Sequence, residues 1–180
     1  MEKSDTGIGS YAPDFELPGI DGEVHHLARY LQKYRAIGAI FMCNRCPYVD
    51  LYLNRLKQIQ TDFQDRGFTL IGINANDAIA SPEDNFENMK SFAATHQLNF
   101  PYLRDPTQDV ARSFGTQITP EVFLLDGNSV VRYSGSIDDN PEAVELVQVS
   151  YLRNAIDQLL CGETVSPTHT QAVGCSLKWQ

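Results

Sequence analysis

Ala36-Ile37-Gly38-Ala39-Ile40-Phe41-Met42-Cys43-Asn44-Arg45-Cys46-Pro47 is the stretch that decides the fold. Its first seven residues are apolar without alternation, as in a strand covered on both faces in the middle of an α/β sheet. Val49, Tyr52, Leu53, Leu56, Ile59 and Phe63 then recur at helical spacing, while Asp50, Lys57 and Asp62 fall elsewhere on the wheel. That spacing predicts a helix from about Pro47 to Phe63. Phe68-Thr69-Leu70-Ile71-Gly72-Ile73 reads as a second buried strand. Strand, helix and strand with short joints make a βαβ unit with a right-handed crossover.

On the N-terminal side, Ala12 to Leu17, the turn at Asp21-Gly22 and Glu23-Val24-His25 read as a hairpin, followed by a short helix through Leu27, Tyr30 and Leu31. On the other side, Ser81 with Asp84 resembles a capping box for a helix carrying Phe86, Met89 and Phe92. Glu121-Val122-Phe123-Leu124-Leu125 and Val130-Val131-Arg132-Tyr133, joined by a turn, give an antiparallel hairpin. A last helix ends near Leu159-Leu160, with Gly162 placed as its C′ residue. The polar tail that follows carries the chain's lone tryptophan, Trp179, which suggests that the end docks back on the body.

A chain of 180 residues fits one globular domain (1–180, with 163–180 as a C-terminal tail). Such a domain buries roughly 70% of its unfolded surface and needs neither disulfide staples nor a structural metal. With 14 basic against 23 acidic side chains, the net charge of -9 repels phosphate backbones and anionic membrane surfaces. Nucleic acid and membrane are therefore not expected partners. The start has no apolar stretch, and nowhere do 18 apolar residues run together, so the expectation is a soluble cytoplasmic protein.

Chemistry concentrates in Cys43-Asn44-Arg45-Cys46-Pro47, where a central strand ends and a helix begins. Two cysteines three apart across a helix N-terminus can close a disulfide. The free amides and dipole of that terminus predict an acidic Cys43 thiol, and Arg45 between the sulfurs favours the thiolate further. Pro47 fits the first helical turn, where its missing N–H costs nothing. Half of a zinc site and a pair of inert core cysteines compete with this redox reading. The absence of a second C-x-x-C or a paired-histidine motif puts redox chemistry first, with no cofactor and no metal. Thr119-Pro120, just before a strand, reads either as a turn device or as a cis bond opposite the cysteines. In the second case the Thr119 backbone is free to pair with an incoming peptide strand. Cys161 closes an apolar helix face and reads as structural, and His25 and His26 read as solvated.

C-x-x-C after a buried strand, with T-P-E-V-F-L-L-D at 119–126, resembles the thioredoxin superfamily. The opening A-P-D-F-E-L-P-G-I-D-G (12–22) is similar to peroxiredoxins. F-M-C-N-R-C-P-Y-V (41–49), S-P-E-D-N-F-E-N-M (81–89), P-Y-L-R-D (101–105), G-S-I-D-D-N (135–140) and G-C-S-L-K-W (174–179) look like peroxiredoxin-like redoxins of the AhpC/TSA type. The resemblance implies a thioredoxin-like α/β fold, a central mixed β-sheet flanked by helices, with a peroxiredoxin-style N-terminal β-hairpin. It implies Cys43 as nucleophile, Cys46 as the resolving thiol, a cis Pro120, and Cys175 as a possible third redox thiol. Overlaying the peroxiredoxin Thr-x-x-Cys motif instead puts Cys46 at the peroxidatic position and Cys43 where the threonine should be. The arginine those enzymes carry before the following strand is replaced by Thr119-Pro120, with Arg45 and Arg112 as the conceivable substitutes.

The expected function is thiol–disulfide exchange by a Cys43-Cys46 dithiol, with protein or small-molecule disulfides and thiols as partners and an electron-donor thiol system behind them. Two alternatives are a peroxidase reducing hydrogen peroxide or alkyl hydroperoxides in an antioxidant role, and a non-catalytic redox-sensing or binding module.

Overall fold

The computed structural model describes residues 7–180; residues 1–6, which belong to the start read above for its lack of apolarity, lie outside the described residues. The N-terminal hairpin forms as expected from β1 (Glu16–Pro18) and β2 (Val24–His26), and α1 (Leu27–Lys33) follows it directly. The quoted stretch supplies β3 (Ala36–Phe41), whose residues are all buried. Next come α2 (Pro47–Phe63) and β4 (Phe68–Asn74), with β4 parallel to β3, so the βαβ unit is as read.

The rest of the chain places α3 (Phe86–Thr95), β5 (Tyr102–Arg104), α4 (Asp109–Phe114), β6 (Ile118–Thr119), β7 (Glu121–Asp126), β8 (Val131–Gly135), α5 (Tyr151–Leu160) and β9 (Cys175–Ser176). The main sheet runs β5-β4-β3-β7-β8, with β3 at its centre, parallel to β4 and antiparallel to β7. The central mixed sheet of a thioredoxin-like α/β fold is thus borne out. Two further small sheets are β1-β2 and β6-β9.

The period-2 alternation of β3 divides the core. Ala36 and Ile40 join one apolar cluster with Leu53, Leu56 and Ile59 of α2, Phe92 of α3 and Ile156 of α5. Ile37, Ala39 and Phe41 join the other, with Leu17 of the hairpin, Leu27 of α1 and Phe114 of α4. Helices therefore cover both faces, which is why β3 carries no polar face. Phe41, Phe114 and Phe123 meet edge to face with centroids 5.1–5.9 Å apart.

Several expectations are corrected. Ser81 and Asp84 do not cap α3. They bracket a separate 3₁₀ turn, Pro82–Asp84, and the helix begins one residue later with Asn85 accepting from the Asn88 N–H. Cys161 is exposed as the C-cap of α5, one position past Leu160, the last residue of the helix and of its buried face. Gly162 follows at φ +75°, the left-handed conformation that the helix end requires. His25 is half-buried, held between Tyr30 and Asp21, and His26 reaches Glu16.

Leu56 is fully buried on α2, whereas Leu51 on the same helix is 41% exposed. Leu56→Ala is expected to lower the unfolding free energy by about 2–5 kcal/mol. Leu51→Ala should stay within roughly 0.5 kcal/mol of the parent in the same urea titration of the oxidised protein.

Candidate active site

β3 delivers Cys43 to the C-terminal edge of the sheet, and Cys46 becomes the N-cap of α2. Its extended backbone (φ -122°, ψ 122°) turns the chain into the helix, its carbonyl accepts the first helical bond from Asp50, and Pro47 occupies the first turn. Opposite stands Thr119-Pro120, a cis peptide bond, as the resemblance implied. Cys43 Sγ lies 3.5 Å from Thr119 Oγ1, and Cys46 Sγ lies 3.4 Å from the Thr119 carbonyl oxygen. One residue thus touches both sulfurs.

The sulfur pairing differs from the expected Cys43–Cys46 disulfide. Cys46 is bonded to Cys175, 129 residues away, with the two Cα atoms 6.2 Å apart, and Cys43 is free. The cause is the route of the tail. β9 pairs antiparallel with β6 so that Thr119 stands opposite Cys175 and Ile118 opposite Ser176. The backbone of Thr119, expected to await an incoming peptide strand, is already occupied by the chain's own end. Gly174 makes this approach possible, since a Cβ there would collide with the Thr119 carbonyl.

The tail is tied on both sides of this crossing. Upstream, Ser134 N–H donates to the Thr168 carbonyl, Thr170 N–H to that of Ser134, and Ser136 Oγ to that of Gln171. Downstream, Leu177 is buried, its N–H donating to the Gln117 carbonyl. The Lys178 N–H donates to Asn76 Oδ1, and the Lys178 carbonyl accepts from Gln108 Nε2 and the Asp77 N–H. Trp179 packs under the Arg112 guanidinium, 5.3 Å from the ring centre. The docking read from the lone tryptophan is borne out.

The charge environment of Cys43 also departs from expectation. Its residue is 2% exposed. Burial pushes the thiol up to about 11; the Thr119 hydrogen bond opposes this, and the carboxylates of Asp84 and Asp50 add to the rise. The Arg45 backbone N–H also lowers it, but the Arg45 guanidinium does not. Its side chain is 72% exposed and turned to Glu83 at 3.4 Å. Arg112 is likewise spent on Trp179.

Beneath the cysteine loop lies a buried polar network that the sequence reading missed. Asp84 accepts from the Asn44 N–H at 2.7 Å, from Asn74 Nδ2 and Asn76 Nδ2 at 3.0 Å, and from Ser81 Oγ at 2.8 Å. Tyr102 donates to Asn44 Oδ1, and Arg104 donates to the backbone carbonyls of Asn76 and Asp84. The Ser81–Asp84 spacing was visible in the sequence, but as a capping pattern.

Residues 8–134 match the model of the AhpC/TSA family. The thiol-disulfide oxidoreductase ResA of Geobacillus thermodenitrificans is 30% identical over 137 residues, covering 73% of this chain and 70% of that protein. The thiol:disulfide interchange protein DsbE of Escherichia coli K12 is 26% identical over 145 residues, covering 77% and 70%. Among solved structures, a hypothetical protein of Sinorhizobium meliloti 1021 superposes with a TM-score of 0.90 at 35% identity, covering 97% of this chain and 95% of its own. A cysteine-bearing loop at the N-terminus of α2, facing a cis proline on a thioredoxin-like sheet, agrees with these matches: the chain belongs to the AhpC/TSA family.

Proposed function

We propose that this protein is a thiol–disulfide oxidoreductase whose exchanging sulfur is that of Cys46. The observation that carries the reading is the Cys46–Cys175 disulfide at the N-terminus of α2, beside Thr119-Pro120. The relatives named for thiol–disulfide chemistry support the same class.

In the reducing direction the Cys46 thiolate, supported by the positive end of the α2 dipole, attacks one sulfur of a substrate disulfide. The other substrate sulfur leaves as a thiolate and takes up a proton. Cys175 then attacks Cys46 Sγ, the second substrate sulfur leaves, and the observed disulfide closes. Two electrons pass to the substrate. Run backwards, the pair oxidises a dithiol. Cys43, neutral at pH 7 because its thiol is raised to about 11, is not the first nucleophile in this scheme. The partners we propose are disulfides or thiols on proteins or small molecules, served by a donor thiol system. The proposed compartment is the cytoplasm, where the unpaired and exposed Cys161 would stay reduced.

The pre-reduced protein should reduce a protein disulfide such as that of insulin. Cys46→Ser should lower the rate about 100-fold or to background. Cys175→Ser should accumulate a mixed disulfide between Cys46 and substrate, seen by mass spectrometry. Full activity in Cys46→Ser would remove the proposal.

Gly174→Ala pushes the tail from β6 and is expected to make the Cys46–Cys175 bond at least about tenfold easier to reduce, roughly 30 mV in a glutathione titration. An unchanged potential would show that the strand pairing does not hold the bond.

Peroxide reduction, with its antioxidant role, is a second reading, favoured by the bonding of Cys46 to a C-terminal thiol. Cys46 would be oxidised to a sulfenic acid by the peroxide, and Cys175 would condense with it, releasing water. Because Arg45 and Arg112 are engaged elsewhere, hydrogen peroxide consumption is expected to be slow compared with disulfide exchange. Fast turnover lost in Cys46→Ser would reverse that order.

A further inference from the structure

Residues 173–176 form a strap across the site, held at one end by the bonds of Thr168, Thr170 and Gln171 and at the other by those of Leu177 and Lys178. While the strap is in place, Cys46 has no exposed surface, and Cys43 is 2% exposed. An external thiol therefore has no direct approach to the Cys46 sulfur. Among the described residues Cys43 is the free thiol at this site, since Cys161 sits at the end of α5 against Arg66. Cys43 stands three residues before Cys46, and both sulfurs meet Thr119.

We propose that Cys43 opens the strap from within: its sulfur attacks Cys46 Sγ, a Cys43–Cys46 disulfide forms, and Cys175 leaves as a thiolate with residues 173–176. One S–S bond breaks and one forms, so no oxidant or reductant is consumed. The proton lost by Cys43 goes to solvent, and Cys175 takes one up below its own pKa. The oxidised protein then has two isomers, a strapped form with the site covered and an open form with the Cys43-Cys46 disulfide available to a substrate dithiol. This inference rests on the reading of Cys46 as the exchanging sulfur and adds the gate that controls access to it.

The surroundings of Cys43 set the direction with pH. Asp84 faces it from the 3₁₀ turn, Asp50 from α2, Tyr102 from β5 and Thr119 from β6, and the Arg45 guanidinium is turned away to Glu83. In the strapped form the free thiol is therefore Cys43, which keeps its proton up to about 11. In the open form it is Cys175 on a released strap, where an ordinary thiol titrates near roughly 8.5. Between these values the open form has lost its proton and the strapped form has not. The open-to-strapped ratio should rise about tenfold per pH unit there, and stay flat below about pH 8.

The test uses oxidised full-length Cys161→Ser protein, equilibrated without reductant at pH 7 and pH 10, quenched with acid and mapped by peptide mass spectrometry. The Cys43–Cys46 to Cys46–Cys175 ratio is expected to grow at least about tenfold, independently of protein concentration, with Cys175 becoming the residue tagged by maleimide. Adding Cys43→Ser should leave Cys46–Cys175 in place at both pH values. An unchanged ratio, or equal opening in the Cys43→Ser protein, would overturn the proposal. Because no substrate enters this experiment, its failure is separable from a failure of insulin reduction, which tests the exchange reading itself.

Discussion

The two-residue pairing of β6 with β9 is the constraint on which the site depends. It sets Cys175 opposite Thr119 and so over the N-terminus of α2, where Cys46 Sγ lies. A ladder this short has little stability of its own. The anchors on either side supply it: buried Leu177 and the Lys178 bonds downstream, and the pairing along Ser134–Ser136 upstream. Closing a loop of more than 100 residues would otherwise carry a large entropic cost. Here the fold has already met most of that cost before the sulfurs join, because both strands are positioned by the body of the domain.

The cysteine loop and the tail share one buried network. Asp84 holds the Asn44 N–H, and it also holds Nδ2 of Asn76, whose Oδ1 receives the Lys178 N–H of the tail. A carboxylate this deeply buried survives only if its lone pairs are filled, and four donors fill them. Arg104 lies next to it and is itself satisfied by carbonyls. A buried network whose groups are satisfied in this way rigidifies its surroundings. It fixes the loop geometry at Cys43 while leaving a negative charge close enough to oppose a second one on that sulfur.

The β3-α2-β4 unit was legible because its elements are long and their periods distinct; the helix bounds Pro47 and Phe63 were readable from spacing alone. β5 and α4 were not. β5 is three residues between Pro101 and Asp105, and α4 is six residues entered through Gln108 at φ 66°. Neither is long enough to show a period. The positions of Cys43 and Cys46 and the Thr119-Pro120 pair were legible as motifs, yet the sulfur pairing was not. Spacing identifies neighbours along the chain, whereas the partner of Cys46 is chosen by the tail's route, set by groups as scattered as the side chains of Gln108 and Asn76 and the backbone carbonyl of Gln117.

The misjudged acidity of Cys43 shows which of two effects wins. A helix N-terminus contributes about 0.3–1 kcal/mol to a nearby anion, and the benefit fades within a turn. Cys43 lies three residues before the N-cap position itself, so it receives less of the dipole than Cys46 does. Burial acts on Cys43 at full strength, and each tenfold change in acidity that it imposes is worth about 1.4 kcal/mol. Desolvation therefore outweighs the dipole at Cys43, while Cys46, at the cap, keeps the dipole's support. Two sulfurs in one short motif, both buried, acquire different chemistry from their distance to the helix end, and that difference lets the Cys46 sulfur exchange one partner for another.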